Sequence, residues 1–180
     1  GNLVNINVEA SPILGGIAVS VLMGMILTLP ISSAALGVSM GLTGLAAGAA
    51  TIGCCCQMVG FAVASYRENK FGGFIAQGIG TSMLQVPNIL RRPLIWLPPI
   101  ISSAILGPIA SAVLHMVSTP IGSGMGSAGF VGQIAAYGAM LETGMSSKVA
   151  LIQIIIMHFV LPAVVTLIFS EKPDGSKTVT

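Results

Sequence analysis

Four polar side chains stand in strongly apolar surroundings and belong to types that bind solutes or move protons. Glu142 ends the run Pro93–Leu141, which contains no Asp, Glu, Lys or Arg. His115 and His158 lie in apolar segments, and Gln133 lies between them in the chain. Ionisable groups are costly inside a membrane and so are functional candidates there, and histidine titrates near neutral pH. We therefore predict that these side chains bind a polar solute or relay protons.

A second interpretation stays open for the charged and imidazole groups. Glu142 can lie at the outer membrane interface and pair with Lys148 instead of facing a ligand. A lone histidine on a helix is more often satisfied by a backbone carbonyl than by a solute. The sequence does not decide between these interpretations.

A glycine-rich stretch, Ser118–Gly129, supplies a second kind of candidate. Glycine and proline both disfavour helix, so we predict a loop over Pro120–Gly129 whose free N–H and C=O groups hydrogen-bond a solute such as a sugar. The candidate binding residues here are Gly122, Ser123, Gly124, Gly126 and Ser127. The G-x-G-x-x-G pattern in this stretch does not predict dinucleotide binding, because that motif needs a preceding strand in a βαβ unit. Small residues at this spacing also allow helices to pack closely.

The composition places the chain in a membrane. Of its 180 residues 54% are hydrophobic and 7% are charged, with a mean hydropathy of +0.96, whereas soluble domains have about 25% charged residues. The net charge of +2 does not indicate nucleic acid as a partner. Cys54, Cys55 and Cys56 are consecutive and lack metal-ligand spacing, so we interpret them as packing residues, with thiol chemistry or palmitoylation as the alternative. We predict no metal, no cofactor and no catalytic residue.

The elements that must position these residues are membrane helices. A spanning helix needs roughly 20 apolar residues. The predicted spans are Ile13–Leu29, Leu42–Tyr66, Ile95–Val117 and Val149–Phe169. We predict a single membrane domain over residues 1–180, an all-α integral membrane protein with about four transmembrane helices and two re-entrant segments broken by proline and glycine.

The basic residues predict the sidedness of the helices. Four of them lie in the connector, residues 67–94, and Lys172 and Lys177 lie in the polar tail, residues 170–180. We therefore place the connector and both termini in the cytoplasm, with Lys148 on the other side. The segment Phe71–Leu90 is interpreted as interfacial or re-entrant, and a true crossing there would invert the second half.

The two halves of the chain contain an internal repeat. "ILGGIAVSVLM" from Ile13 aligns with "ILGPIASAVLH" from Ile105, and "LPISSA" from Leu29 aligns with "TPIGSG" from Thr119. Unit A spans about residues 13–66 and unit B about residues 95–169. Chance similarity between apolar sequences is the alternative, but the shared proline break favours duplication. Transporters with repeats place their sites at such broken helices.

Two phrases resemble a known family. "GTSMLQVPNILRRPLIWLPP" followed by "TPIGSGMGSAGFVGQI" resembles the perfringolysin-regulator-like membrane proteins, which are grouped with the sugar-translocating enzyme IIC component of the phosphoenolpyruvate-dependent phosphotransferase system. The resemblance implies a multi-pass protein of the bacterial inner membrane that binds a sugar through a glutamate and a histidine. Glu142 is the candidate for this glutamate and His115 or His158 for its partner, although neither histidine lies in a motif that matches the family. The resemblance also implies a separate IIB partner protein. The chain is shorter than a usual IIC, which indicates either a fragment or a need for dimerisation to enclose a site, and we expect a homodimer.

We therefore expect a transporter-type protein in the lipid bilayer that binds a small polar solute, a sugar above all, and can translocate it. Two alternatives remain open at this point. Glycine-rich re-entrant loops also form the selectivity filters of channels, and a membrane-embedded regulator would sense a ligand and signal through the connector. Saturable sugar binding, ohmic currents, or a partner crosslinked to Arg91 or Arg92 would distinguish the three.

Overall fold

The computed structural model of the chain describes residues 2–170. In this part of the chain every regular element is helical, which confirms the predicted all-α class. The α-helices are α1 (Asn2–Ala10), α2 (Pro12–Thr28), α3 (Ser33–Ser39), α4 (Gly44–Ala64), α5 (Tyr66–Ile75), α6 (Val86–Arg91), α7 (Leu97–Pro108), α8 (Gly122–Met125), α9 (Val131–Glu142), α10 (Ser147–Ile155) and α11 (Leu161–Ser170). The predicted tail beyond Ser170, with Lys172 and Lys177, lies outside the described residues.

Three helices of the described region are long and apolar enough to cross a membrane: Gly44–Ala64, Pro93–Val113 and Ser147–Ser170. The first predicted span corresponds to α2, which is apolar but shorter, with 17 residues. The second and third long helices each contain a π turn, over Ile109–Val113 and Ile156–Val160. Each turn lies next to a proline, which lacks the backbone N–H and disturbs the helical hydrogen bonds around it.

Helix α4 is the centre of the bundle, and nearly all of its side chains are buried. Its many small residues allow other backbones to come close. A Cβ atom on Gly53 would collide with the backbone of Ser20 in α2, and one on Gly48 would collide with the backbone of Met116. The three consecutive cysteines of α4 are buried and unbridged. Glycine and other small residues are what membrane helices use to pack this closely.

Helices α2 and α4 run in the same direction. Ser20 lies against Gly53, and Thr28, two turns further along α2, donates a hydrogen bond to Gln57, one turn further along α4. The segment between these helices, residues 29–43, therefore returns to the end of the bundle where α4 begins. Pro30 follows the end of α2, and the segment contains the short helix α3.

This direction corrects the predicted sidedness. Asn5 in α1 donates a hydrogen bond to the carbonyl of Gly41 and another to the hydroxyl of Thr43, at 2.9 and 3.1 Å. Helix α1 thus lies at the beginning of α4, whereas the connector follows the end of α4. The prediction that the N-terminus and the connector share one side is wrong, because the break after α2 takes the chain back across the bundle.

Helix α7 runs antiparallel to α2. The hydroxyl of Ser20 donates to the carbonyl of Ser103 at 2.8 Å, and the hydroxyl of Ser111 donates to the carbonyl of Pro12 at 2.7 Å. The connector between α4 and α7 contains no continuous long helix. It is built from α5, the π turn Ala76–Gly80, two 3-10 turns and α6.

Candidate functional site

The glycine-rich loop is irregular, as predicted. It contains only one helical turn, α8, followed by a 3-10 turn. Gly126 and Gly129 have positive φ angles of 52° and 53°, and Phe130, which precedes α9, has a φ of 59°. Glycine adopts this region without the steric penalty that other residues incur, so the glycines allow the backbone to reverse its course here.

The loop is also closely packed. Gly126 lies so near α4 that a Cβ on it would stand 2.7 Å from the Cβ of Cys54. Cys54 Sγ donates to the carbonyl of Ser123 at 3.4 Å, and the carbonyl of Gly126 accepts from the N–H of Gly132 at 3.0 Å. These carbonyls are therefore already bonded within the protein, and part of the predicted solute-binding surface is occupied by the chain itself.

The two proline breaks contact each other. Ser33, the first residue of α3, donates its hydroxyl hydrogen to the carbonyl of Gly124 in α8 at 2.6 Å. A Cβ on Gly37 would collide with Ser123 and with the carbonyl of Pro120. The first break is thus fixed against the glycine-rich loop through buried polar and backbone contacts.

A third irregular segment joins them. The hydroxyl of Ser127 donates to the carbonyl of Gly78, which lies in the π turn of the connector. Both residues are buried. Close to this contact is a cavity of about 200 Å³, lined by residues 31–34 of the first break, by Gly80 and Thr81, and by Met125 and Ala128. All three broken segments therefore meet around one small space beside α4.

Two of the predicted site residues form a buried pair. Gln133 Nε2 donates to His158 Nδ1 at 2.9 Å, and the same amide nitrogen lies 3.4 Å from Cys55 Sγ. The carbonyl oxygen of Gln133 is buried and has no hydrogen-bond partner within residues 2–170. A buried polar atom without a partner costs free energy, so this oxygen is suited to accept a hydrogen bond from a ligand hydroxyl.

The other two predicted side chains lie elsewhere. Glu142 is exposed at the C-terminal end of α9, whereas Gln133 lies in the first turn of that helix. His115 is exposed beyond the π turn that follows α7, with a φ of 51°. The structure therefore brings Gln133, His158 and the loop glycines and serines together on one side of α4. It leaves Glu142 and His115 outside that group.

A second buried polar cluster was not predicted as part of a site. Gln57 Oε1 accepts from Thr28 at 3.2 Å and from the indole N–H of Trp96 at 2.9 Å, and Thr28 also bonds to Ser82. The amide nitrogen of Gln57 is buried without a partner in the described part of the chain. The sequence signal was a glutamine inside an uncharged run, but only the fold brings these distant residues together.

The connector contains a larger and more polar cavity. Its volume is about 400 Å³, and its lining includes Glu68, Asn69, Asn88, Arg91 and Arg92. Four side chains, three of which line this cavity, form a chain of hydrogen bonds that we call the amide ladder: Ser65, Gln77, Gln85 and Asn88. Sequence reasoning assigned this segment a place in the topology and, in the regulator alternative, a signalling role, but no small-molecule site was predicted there.

Comparison with known families gives one match. The family model described as "Phosphotransferase system, EIIC" matches residues 1–174. No curated protein and no solved structure matches the chain. The family match covers nearly the whole chain, including α4, the three broken segments and the connector.

Proposed function

This chain belongs to the phosphotransferase system EIIC family, and on that premise we propose that it binds a sugar inside the membrane and carries it across. The family and the apolar helices make it a sugar-transporter-type membrane protein. The observation that carries the finer proposal is the meeting of three broken segments at Ser33, Gly78 and Gly124–Ser127 beside the middle of α4. Irregular backbone at membrane depth is tolerated where it is buried in protein or lines a cavity.

We propose that the loop is re-entrant. Ser118 pairs with Gly44 at the start of α4, whereas Gly126 contacts Cys54, about three turns further along that helix. Helix α9 then returns, because its Tyr137 hydroxyl hydrogen-bonds to Ser147 at the beginning of α10 at 2.6 Å. A segment that enters the bundle as far as its middle and leaves at the end where it entered is a re-entrant hairpin.

Two crossings support an internal repeat of inverted topology. The antiparallel helices α2 and α7 cross where Gly16 contacts Pro108, and these two residues are equivalent in the repeat alignment. The two breaks cross where Gly124 contacts Ala34, which are again equivalent positions. Both crossings lie where a two-fold axis between units A and B would pass. Inverted repeats of this kind commonly enclose a transport site.

In this proposal the unpaired amide oxygen of Gln133 accepts a hydrogen bond from one sugar hydroxyl, and His158 donates a hydrogen bond to another. The loop residues Gly122, Ser123, Gly124, Gly126 and Ser127 shape the wall beside them. The cavity of about 200 Å³ between the loop and α3 is lined by neither Gln133 nor His158, and it is smaller than the roughly 300–1,000 Å³ usual for ligand pockets. In this proposal the close packing between the loop and α3 therefore opens during transport. Glu142 and His115, both exposed, act at the entrance at the end of the bundle where α4 begins.

The basic connector is then the cytoplasmic side of a bacterial inner membrane, where a IIB partner would supply the phosphoryl group. A second copy of the chain would complete the transporter as a homodimer.

The test is sugar binding to the purified full-length chain in nanodiscs, with a panel of radiolabelled monosaccharides. Gln133→Leu removes the unpaired amide oxygen and is expected to weaken binding at least about tenfold, the effect of one lost hydrogen bond of about 1.4 kcal/mol. Gln153→Leu is the matched control, because Gln153 in α10 also has a buried amide oxygen without a partner within the described residues, and its variant is expected to bind normally.

Equal binding by both variants would contradict the proposed site. Ohmic currents in place of saturable sugar binding would favour the channel. A partner protein that crosslinks to Arg91 in the absence of any sugar binding would favour the regulator.

A further inference from the structure

We propose that the connector cavity is a second ligand site, which takes a small phosphomonoester rich in hydroxyl groups, such as a sugar phosphate or glycerol phosphate. This site is separate from the sugar site beside α4, and its existence does not depend on transport. Three properties of the cavity carry the proposal: the two arginines that line it, the carboxamide residues in the rest of its lining, and its volume.

The guanidinium groups come from consecutive residues. Arg91 ends α6, and Arg92 leaves the helix with a φ of −141° and a ψ of 86°. Pro93 imposes this extended conformation, because a proline disfavours helical geometry in the residue before it. Consecutive residues of a continuous helix point about 100° apart, but the break after Arg91 lets both arginines line one cavity. Two planar guanidinium forks match the oxygens of a phosphate group.

The rest of the lining selects against a bare anion. Asn69, Gln85 and Asn88 contribute carboxamides to the lining. A carboxamide both donates and accepts hydrogen bonds. A ligand that occupies the whole cavity meets these acceptors as well as the arginines, so hydroxyl donors and negative charge together complement the wall. A phosphomonoester of a polyol has both features, whereas inorganic phosphate offers charge without an array of hydroxyls.

The amide ladder holds this wall in place. Ser65, the residue after α4, donates to the carbonyl of Phe61 at 2.7 Å and accepts from Gln77 at 3.1 Å. Gln85 then donates to Gln77 at 2.7 Å, and Asn88 donates to Gln85 at 3.0 Å. The ladder thus connects the end of α4 with α6 and positions the carboxamides before a ligand arrives, which reduces the entropy cost of binding.

The volume fits the proposed ligand class. The cavity measures about 400 Å³, which lies in the range of roughly 300–1,000 Å³ found for small-molecule sites. It is about twice the volume of the space between the broken segments, and that smaller space is lined mainly by apolar and backbone groups.

Trp96 provides a direct readout. It is the only tryptophan of the chain, it follows Ile95 in the cavity wall, and its indole N–H is bonded to Gln57. Titration of the purified full-length chain in zwitterionic nanodiscs with glucose 6-phosphate and with glycerol phosphate is expected to change its fluorescence saturably. Unphosphorylated glucose and inorganic phosphate are expected to bind at least about tenfold more weakly, since each lacks one set of contacts.

The variants locate the binding. Arg91→Gln and Arg92→Gln are each expected to raise the Kd for the phosphomonoesters about tenfold or more, because hydrogen bonds to charged groups are the stronger ones. Lys70→Gln makes the same change of charge in the same connector outside the cavity lining, and it is expected to leave the Kd within about twofold, since an exposed charge that does not touch the ligand is largely screened by salt. Gln133→Leu, the variant that tests the sugar site, is expected to leave phosphomonoester binding unchanged.

Three results would overturn the proposal. The first is an absence of saturable binding by the natural chain. The second is an equal loss of binding in Lys70→Gln and the arginine variants, which would indicate a general charge effect. The third is a fluorescence change caused by anionic lipid in the nanodiscs that soluble phosphomonoesters do not reverse, which would make the cavity a headgroup site. If Gln133→Leu loses sugar binding and any of these three results is also found, the proposed sugar site is supported and only the second site is rejected.

Discussion

The glycine-rich loop and the connector are both irregular, yet they use irregular backbone in opposite ways. In the loop, Gly124 and Gly126 let the backbone lie directly against Ser33 and Cys54, and the serine hydroxyls bond to neighbouring carbonyls. In the connector, short helices surround a cavity of about 400 Å³ with charged and amide side chains. The two regions show two uses of irregular backbone. Glycine has no side chain and so lets two backbones come into contact, whereas long polar side chains keep neighbouring segments apart and leave a cavity between them.

The largest effect is expected where the loop is closest to a helix. A Cβ on Gly132, in the first turn of α9, would collide with the carbonyl oxygen of Gly126, so Gly132→Ala is expected to lower the free energy of unfolding by about 2–3 kcal/mol. Gly138 lies in the same helix, and a Cβ on it would meet no other atom within 4 Å, so Gly138→Ala is expected to be neutral or slightly stabilising. Thermal unfolding in detergent measures both. Similar melting temperatures would mean that the loop is not closely packed against α9.

An intermediate effect is expected where the loop and the connector touch. Ser127→Ala removes the bond to the Gly78 carbonyl and leaves that carbonyl buried, at a cost of about 1–2 kcal/mol. Hydrogen exchange in the π turn of the connector should become faster in this variant. Ser39→Ala is the control, because Ser39 is exposed and, within residues 2–170, its hydroxyl bonds to the carbonyl of Leu36 in the same helix. Equal destabilisation by the two variants would mean that the hydrogen bond between Ser127 and Gly78 does not hold the loop against the connector.

The smallest effect is expected at the wall of the connector cavity. Asn88 is exposed and makes one bond of the amide ladder, so Asn88→Ala is expected to cost about 0.5 kcal/mol. Gln85→Ala, which removes a buried side chain with two ladder bonds, should cost more than Asn88→Ala in the same chemical denaturation series. If Asn88→Ala destabilised the chain as much as Gly132→Ala, the contrast between an open connector and a close-packed loop would be lost.

Several features were predictable from the residues alone. The apolar composition and the few charges predicted a helical membrane protein, and the match of residues 1–174 to the EIIC family supports this class. The glycines and proline of Pro120–Gly129 predicted irregular backbone, because their φ preferences are local properties that no tertiary contact has to supply. The roles of Gln133, Glu142 and the histidines as ligand groups stay predictions.

Other features depended on contacts between distant residues. The parallel course of α2 and α4 was not predicted, because the length of residues 29–43 allows either a turn or a return across the bundle. The pairing of Gln133 with His158 joins two helices, and no pattern within either segment indicates the other. The connector was interpreted as topology and, in the regulator alternative, as a signalling segment, but not as a ligand site, because its arginines are ordinary in a membrane loop until Pro93 and the amide ladder place them around one space.

The sequence by itself determined that this chain is helical, lipid-immersed and interrupted at definite prolines and glycines, since hydropathy and backbone preference act residue by residue. Only the tertiary structure decided which interruptions touch and which enclose space. That outcome depends on whether a glycine or a long polar side chain stands at each point where two backbones approach.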